Sequence, residues 1–277
     1  MNTGTRLALF GVTLAVTSGL GALVGDAVGP IDTGASGQTM DTHVDTQSGA
    51  QSGYTLISDD TEIGGEPFSF TITGPDGEPV TDYEVLHEKQ LHLIVVSTGL
   101  HTYAHLHPER DSDGRWSIGL PELPAGKYRA VADFAPDGAE QMNLGVDLVV
   151  PGWANIEPPL EQALSYQVDD FDVTLEAADS DWSEVVITVR RGDDVVTTEP
   201  YLGAAGHLVA IAADDLAYLH THALDETPAG PVRFEVELLG GATHALYFDF
   251  KVDGEVHTAQ FVIESEGSHG ASTEHGH

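Results

Sequence analysis

The sequence predicts an all-β protein in which two β-sandwich domains follow one another along the chain. Short runs rich in β-branched and aromatic residues, such as FSFTITG from Phe68 and EVVITVRRG from Glu184, alternate with turn clusters such as GPDGEP, DSDG and KVDG. No long segment after residue 54 has the 3.6-residue period of an amphipathic helix. The third observation is an internal repeat, which predicts that the β-sandwich occurs twice.

The repeat is clearest in two segments that carry the same histidines. His92 to Glu109 reads HLIVVSTGLHTYAHLHPE, and His207 to Leu224 reads HLVAIAADDLAYLHTHAL. Each begins with His and contains His-x-His 13 residues later, and the two copies are offset by 115 residues. Downstream, YRAVADFAPDG resembles HALYFDFKVDG, so that strand, Asp-Gly turn and strand recur in order. We therefore expect two homologous sandwiches of about 100 residues, a common size for an Ig-like domain.

The N-terminal residues predict export from the cytoplasm. After Arg6 the chain is apolar and uncharged until Asp26, a length between that of a long signal peptide core and a short membrane span. A cleaved signal and a retained anchor both remain open, and the charges on either side favour an N-in orientation. The protein is thus expected to be extracytoplasmic, either secreted or anchored to the outer face of the membrane through this segment alone.

These observations divide the chain into five parts. The segment VPGWANIEPPL contains the join between the sandwiches, because its prolines cannot continue a central strand. The predicted parts are a signal peptide or anchor (1–25), a disordered linker (26–53), a first Ig-like sandwich (54–151), a second Ig-like sandwich (152–265) and a disordered His-containing tail (266–277).

The composition excludes several classes of partner and site. With 10 Lys and Arg against 45 Asp and Glu, the formal net charge is −35, which argues against nucleic acid and anionic lipid as partners. This acidic coat is typical of a halophilic protein, and it would also concentrate cations near the surface. The chain has no Cys, so it has neither disulfides nor thiolate ligands, and three Met disfavour a Met-rich copper(I) site. His, Asp and Glu must supply any metal chemistry.

The spacing of the histidines predicts that they gather on a hairpin. A tight loop near Gly99 and Leu100 gives opposed residues position numbers that sum to about 199, which sets Ile94 opposite His105. Residues two apart on a strand share a face, but a register slip of one residue would disperse them. The first hairpin would then gather His92, His105 and His107. The second would gather His207, His220 and His222.

Three neighbouring imidazoles favour a borderline metal ion such as Zn(II) or Cu(II). Further ligands could come from His87 or Glu109 in the first sandwich, and from His244 or His257 in the second. A single His on a strand is more often structural than a ligand, and Tyr103 and Tyr218 are expected to be packing residues. The predicted metal ligands are His87, His92, His105, His107, Glu109, His207, His220, His222 and His257.

Several of these motifs together resemble a known family. The segments HEKQLHLIVV, YAHLHPE, EPYLGAAGHLVAI, LAYLHTHA and EVHTAQFVI, within residues 54 to 264, resemble an uncharacterised family of exported bacterial and archaeal proteins. Members carry two tandem Ig-like domains and are suspected of handling heavy metals, particularly copper. The resemblance implies the same histidines as functional positions. One departure is Ala223 after His222, where the family often has Pro, and we expect it to affect turn geometry more than ligand identity.

The leading functional hypothesis is a non-catalytic protein that buffers, sequesters or delivers copper(II) or zinc outside the cytoplasm. Its partners would be metal ions and a metal transporter or other cell-surface protein. Two alternatives remain open. The first is a structural or adhesive cell-surface protein whose histidines only hydrogen bond strand ends. The second is a copper oxidoreductase of the superoxide dismutase type.

Overall fold

The computed structural model describes residues 49–65, 67–154, 156–224 and 230–265, and it confirms the all-β, Ig-like prediction. Within the described residues, the first sandwich contains nine strands. They are β1 (Ala50–Gln51), β2 (Tyr54–Ser58), β3 (Phe68–Thr73), β4 (Leu91–Ser97), β5 (Tyr103–Leu106), β6 (Glu109–Arg110), β7 (Arg115–Ile118), β8 (Gly126–Phe134) and β9 (Met142–Val150). Its outer sheet has the order β1-β2-β3-β7-β6, and its inner sheet has the order β5-β4-β8-β9.

The second sandwich repeats this arrangement, with ten strands in the part of it that the structure describes. They are β10 (Ser165–Val168), β11 (Phe171–Ala177), β12 (Glu184–Arg191), β13 (Asp194–Val195), β14 (His207–Ala212), β15 (Tyr218–Leu219), β16 (Thr221–Ala223), β17 (Val232–Val236), β18 (Thr243–Val252) and β19 (Glu255–Glu264). Its outer sheet has the order β10-β11-β12-β17-β16, with β13 paired to β12, and its inner sheet has the order β15-β14-β18-β19. All strand pairs within the four sheets are antiparallel.

One predicted boundary differs from the structure. β1 lies within the segment 26–53 that the sequence assigns to the linker, where Ala50 pairs with Thr55 of β2. A two-residue strand of this kind forms through backbone pairing, so it needs none of the large apolar side chains on which the sequence prediction depended. The predicted signal or anchor segment, most of the linker and the tail lie outside the described residues. Within the described ranges, no helix has the length and apolarity to cross a membrane.

Asp-Gly turns end the strands where the sequence predicts. Gly77, Gly114 and Gly254 have φ values of 82°, 88° and 83°, a left-handed conformation that glycine adopts at no steric cost. In the last of these turns, Asp253 at φ 53° and Gly254 give the type I′ geometry that joins β18 to β19. The long inner hairpin of the second sandwich therefore follows from the KVDG sequence.

The two inner sheets pack face to face, so their strands are buried on both faces. In β4, Leu93 faces the core of the first sandwich, whereas Ile94 faces the second sandwich. In β14, Leu208 and Val209 divide in the same way. This double burial explains why these strands read as continuous apolar runs. The buried residues between the inner sheets, called the interface core, are Ile94, Val96, Leu100, Val131, Val209, Ile211, Leu216, Tyr218, Ala245 and Tyr247.

Two tyrosine–aspartate pairs join the sandwiches reciprocally across the interface. The Tyr103 hydroxyl donates to Asp249 Oδ2 at 3.1 Å, and the Tyr218 hydroxyl donates to Asp133 Oδ2, also at 3.1 Å. Both carboxyl groups are buried, at 4% exposure for Asp133 and 2% for Asp249. Buried carboxylates need such donors, because an unpaired one would lose its hydration without compensation. The tyrosines are thus packing residues, as predicted, with an additional polar contact to the partner sandwich.

We expect Tyr218→Phe to destabilise the protein, because the substitution keeps the aromatic packing but removes a hydroxyl donor from the buried carboxyl group of Asp133. The expected loss in free energy of unfolding is about 1–3 kcal/mol, measured by urea denaturation. Tyr166→Phe is the control, since that side chain lies on the surface of β10, and its effect should stay within about 0.5 kcal/mol. Equal effects of the two substitutions would contradict the role of the hydrogen bond.

Candidate metal centre

The first hairpin brings three histidines together on the face that meets the second sandwich. His92 lies in β4 on the same face as Ile94, and β5 sets His105 opposite Ile94, which confirms the predicted register. His107 follows directly after the end of β5. His92 is 1% exposed, and the His105 side chain is 3% exposed. The sequence therefore predicts this group of His92, His105 and His107, called the histidine triad, correctly.

The ring nitrogens of the triad lie close enough to share one ion. His92 Nδ1 is 2.9 Å from His105 Nε2 and 3.3 Å from His107 Nε2. One nitrogen from each ring can be chosen so that all three lie within 4.8 Å of one another. Two imidazole nitrogens bound tetrahedrally to zinc or copper, at about 2.0–2.1 Å from the metal, are about 3.3 Å apart. The observed separations are thus close to those of a bound triad.

The other ring nitrogens of His92 and His105 are already committed as hydrogen-bond donors. His92 Nε2–H donates to the Leu86 carbonyl oxygen at 3.0 Å, and His105 Nδ1–H donates to Asp249 Oδ2 at 2.8 Å. These partners assign the tautomers, because an oxygen acceptor requires the hydrogen on the nitrogen that faces it. His92 Nδ1 and His105 Nε2 consequently turn two lone pairs toward each other.

Protonation does not relieve this opposition near neutral pH. Burial, reinforced by the neighbouring histidines, lowers the pKa of His105 and of His107 from 6.5 to about 3. Burial also lowers the pKa of His92. The rings are therefore neutral, and neutral imidazole is the form that binds metal. A cation between the lone pairs would convert the repulsion into coordination.

The hydrogen bonds behind the triad match the usual support of a metal site. A ligating histidine almost always donates its second N–H to a carboxylate or a backbone carbonyl, and this contact fixes the ring and raises its basicity. Asp249 is held in place by Thr258 Oγ1, which donates to Oδ1 at 2.5 Å, and by Tyr103. Burial raises the pKa of Asp249, and the hydrogen bonds from Thr258 and Tyr103 only partly offset this increase. Three donors, from His105, Thr258 and Tyr103, hold the carboxyl group in place.

The acceptor for His92 comes from a strained turn. Leu86 and Lys89 exchange two backbone hydrogen bonds around His87 and Glu88, whose φ values are 47° and 66°. Positive φ at two consecutive non-glycine residues costs free energy, and strain of this kind concentrates at functional sites. The equivalent turn of the second sandwich contains Leu202 and Gly203. The first sandwich therefore keeps a strained turn with a histidine in it, beside the triad.

The second sandwich contributes to the same cluster and does not form one of its own. The His207 ring stacks on His92 with centroids 5.4 Å apart and planes at 6°, and it lies 4.8 Å from His105. His87 lies 5.5 Å from His207 and 6.0 Å from His92. These five rings, His87, His92, His105, His107 and His207, are called the histidine cluster.

The prediction that His207, His220 and His222 form a second group is wrong, because the structure does not bring these three side chains together. His220 and His222 are exposed, and the triad is the one group of three within metal-binding distance among the described residues. The hairpin has the predicted register at Ile211 and Tyr218, but β15 ends at Leu219. The chain then enters the outer sheet as β16, where His222 pairs with Glu235 of β17.

The departure from the His-Pro pattern coincides with this early change of sheet. In the first sandwich Pro108 follows His107, and pairing with the outer sheet begins only at Glu109. Proline has no N–H to donate to a neighbouring strand, so it delays pairing. Ala223 stands at the equivalent place and lies within β16. The difference therefore affects the local strand geometry, as expected, and this geometry also carries His220 and His222 to the surface.

The remaining predicted ligands lie away from the triad. His257 donates from Nδ1 to Asp169 at 2.7 Å and packs against Phe250, on the core face of the second sandwich. Glu109 pairs with Ser117 in the outer sheet of the first sandwich. His244 is fully buried in β18, where its Nε2 accepts from the backbone N–H of Leu239 at 3.3 Å. The structure thus brings none of these three into the histidine cluster.

The sequence of the chain matches one known family. The sequence profile of a domain of unknown function, DUF8832, matches residues 49–145 and again residues 166–267, which together make up more than half of the chain. The chain belongs to the DUF8832 family. The two matches confirm the duplication that the histidine spacing predicts. The DUF8832 description names no metal, so the resemblance to copper-handling proteins stays a prediction.

Solved structures similar to the DUF8832 pair are tandem modules of the Ig and fibronectin type III kinds. A two-domain fibronectin type III segment of chicken tenascin has 8% identity and a TM-score of 0.23, and the alignment covers 76% of this chain and 97% of that one. Domains 4 and 5 of the S-layer protein SbsC have 10% identity and a TM-score of 0.21, with 77% and 98% covered. Similarity this low carries no functional argument. Among curated proteins, none matches the chain significantly.

The sequence analysis missed two parts of the candidate site. Asp249 orients His105, and Asp133 occupies the equivalent position in the first sandwich. The signal was present in the aligned segments YRAVADFAPDG and HALYFDFKVDG, which place an acidic residue at the same point of an apolar strand. The Leu86 carbonyl could not be found in this way, because backbone acceptors leave no mark in the sequence.

We expect the metal-free protein to lose stability as the pH falls below 6.5. The unfolded chain binds protons on its histidines near that pH, whereas His105 and His107 in the folded protein resist protonation until about pH 3. Protons therefore favour the unfolded state across this interval. The measurement is the free energy of unfolding of chelator-treated protein at several pH values, with His107→Gln expected to give a shallower dependence. A free energy that stays constant from about pH 7 to about pH 4 would contradict this expectation.

Proposed function

We propose that the protein binds a divalent transition metal ion, copper(II) or zinc, at His92, His105 and His107. The observation that carries the proposal is the convergence of two assigned lone pairs, on His92 Nδ1 and His105 Nε2, at 2.9 Å. Each ring is fixed from behind by a hydrogen bond to an oxygen acceptor. Imidazole ligands suit both ions, and neither requires the thiolates that this chain lacks.

The role that we propose is to buffer, sequester or deliver the ion outside the cytoplasm. The location depends on the apolar N-terminal segment of the sequence, and a metal transporter or other cell-surface protein would be the partner. The net charge of −35 supports a cation-handling role, because it raises the local concentration of cations. The expectation that the protein is not an enzyme stays a prediction.

The structural alternative gives a different expectation for the same rings. Histidines that serve only to hydrogen bond strand ends would have their nitrogens dispersed among separate partners. His257 has this character, since its Nδ1 donates to Asp169 and its ring packs on Phe171. In the triad the nitrogens converge on one point instead, which supports binding. A copper oxidoreductase would also have to catalyse a reaction. On this alternative the metal-loaded protein would show measurable turnover.

The first test compares two double substitutions that remove the same His-x-His motif from different sandwiches. We expect His105→Ala/His107→Ala to abolish binding of the tightly held ion, because two of its three ligands are lost. Equilibrium dialysis of the full chain against Cu(II) and Zn(II) gives the stoichiometry.

The matched control is His220→Ala/His222→Ala, which removes two exposed histidines at the same spacing. The control should retain the tightly held ion. Unchanged stoichiometry in His105→Ala/His107→Ala would refute the proposed site, and a selective loss in the control would place binding at the surface motif.

A second test uses the duplication of the buried carboxylates. We expect Asp249→Asn to weaken metal binding by about 10–100-fold, the usual cost of losing a supporting carboxylate. Asp133→Asn is the control, since Asp133 is also buried in the interface and accepts from a tyrosine, but it accepts its further hydrogen bonds from Gln141 and not from a histidine. Both variants should lose comparable stability in the metal-free state. Equal effects on metal affinity would show that Asp249 has no specific part in the site.

A further inference from the structure

His207 is the one member of the histidine cluster that comes from the second sandwich. It begins β14 and stands opposite Asp249 of β18, so its ring faces the triad across the interface. The residue before it is Gly206, where a Cβ atom would lie 2.5 Å from Phe248 Cε2 and 3.1 Å from the Asp249 carbonyl oxygen. A glycine is therefore required there for β14 to start this close to β18. This close approach sets the position of His207 over His92.

The His207 ring is available for coordination. His92 and His105 each have a ring nitrogen engaged by an oxygen acceptor, but within the described ranges no hydrogen bond engages either ring nitrogen of His207. Burial and the adjacent His105 and His92 lower its pKa well below 6.5, which keeps the ring neutral. The His207 residue is only partly buried, and the lone pair of its neutral ring is free to bind an ion.

The geometry also leaves a coordination position for His207. Three imidazoles occupy three of the four tetrahedral positions that zinc usually has in proteins. His207 lies outside the 4.8 Å group of nitrogens but only 4.8 Å, between ring centroids, from His105. Rotation about χ2, which is broad for histidine, redirects a ring nitrogen without moving the backbone. A closed site with four nitrogens suits storage or transfer of an ion, whereas an open position suits catalysis.

We propose that His207 is the fourth ligand of the ion held by His92, His105 and His107, so that one four-imidazole centre joins the two sandwiches. This inference rests on the proposed metal binding and extends it. Three ligands come from the first sandwich, whereas the fourth ligand and the carboxylate that orients His105 come from the second. Metal binding and the docking of the two inner sheets are then linked, and each stabilises the other.

The test uses Co(II), whose visible absorption is intense in a four-coordinate tetrahedral site and weak at higher coordination numbers. The full-length protein should bind one Co(II) with the intense tetrahedral spectrum. His207→Ala should lose this intensity and bind Co(II) more weakly by more than about 10-fold, because a direct ligand contributes more than a supporting residue. Free imidazole added to this variant should restore the intensity by entering the vacated space.

Two further variants separate ligation from packing. His207→Phe keeps an aromatic ring over His92 but has no nitrogen, so it should fold even if His207→Ala does not, and it should give the same spectral loss without imidazole rescue. His220→Ala, at an exposed position of the same sandwich, should behave as the wild type. If the wild type binds none of Co(II), Zn(II) and Cu(II), the proposed function fails. If the wild type binds and both His207 variants retain its affinity and spectrum, only the fourth ligand is overturned.

Discussion

The packing of the two inner sheets against each other determines the rest of the structure. Because β4 and β14 are buried on both faces, any polar residue on the interface side must find its partner within the protein. Asp133 and Asp249 meet this requirement through tyrosines of the opposite sandwich. The histidine cluster lies beside these residues, and two of its rings, His92 and His105, are almost completely shielded from water. In an isolated sandwich these histidines would be exposed to solvent, and their pKa values would be those usual for histidine.

The duplication supplies the parts of the site twice, but the structure uses them asymmetrically. The tyrosines and aspartates remain equivalent between the sandwiches. The His-x-His motifs do not remain equivalent. β5 places His105 within hydrogen-bonding distance of Asp249, whereas β15 ends before His220. Asp133 accepts from Gln141, where Asp249 accepts from a histidine.

Much of the fold and part of the site could be predicted from the sequence. Strand alternation and Asp-Gly turns indicate an Ig-like sandwich. The position of the tight loop predicts the register of the first hairpin, which places His105 opposite Ile94. These features are local, so spacing determines them. The association of the inner sheets is not local, and continuous apolar strands are compatible with a single fully buried core. For that reason the sequence could not show that His207 of one sandwich stacks on His92 of the other.

Contacts on several sides hold the rings of the histidine triad in the orientation that a bound ion would need. His87 and Glu88 have strained positive φ values, and their turn presents the Leu86 carbonyl to His92. The opposed lone pairs on His92 and His105 add electrostatic repulsion at 2.9 Å. The apolar interface, with fully buried Ile94 and Val209, has to hold this arrangement in place. Because the ring orientations are set before binding, an incoming ion meets ligands that lose little further conformational entropy. Interface packing, which is nonspecific in itself, would thereby contribute to the metal affinity that we propose.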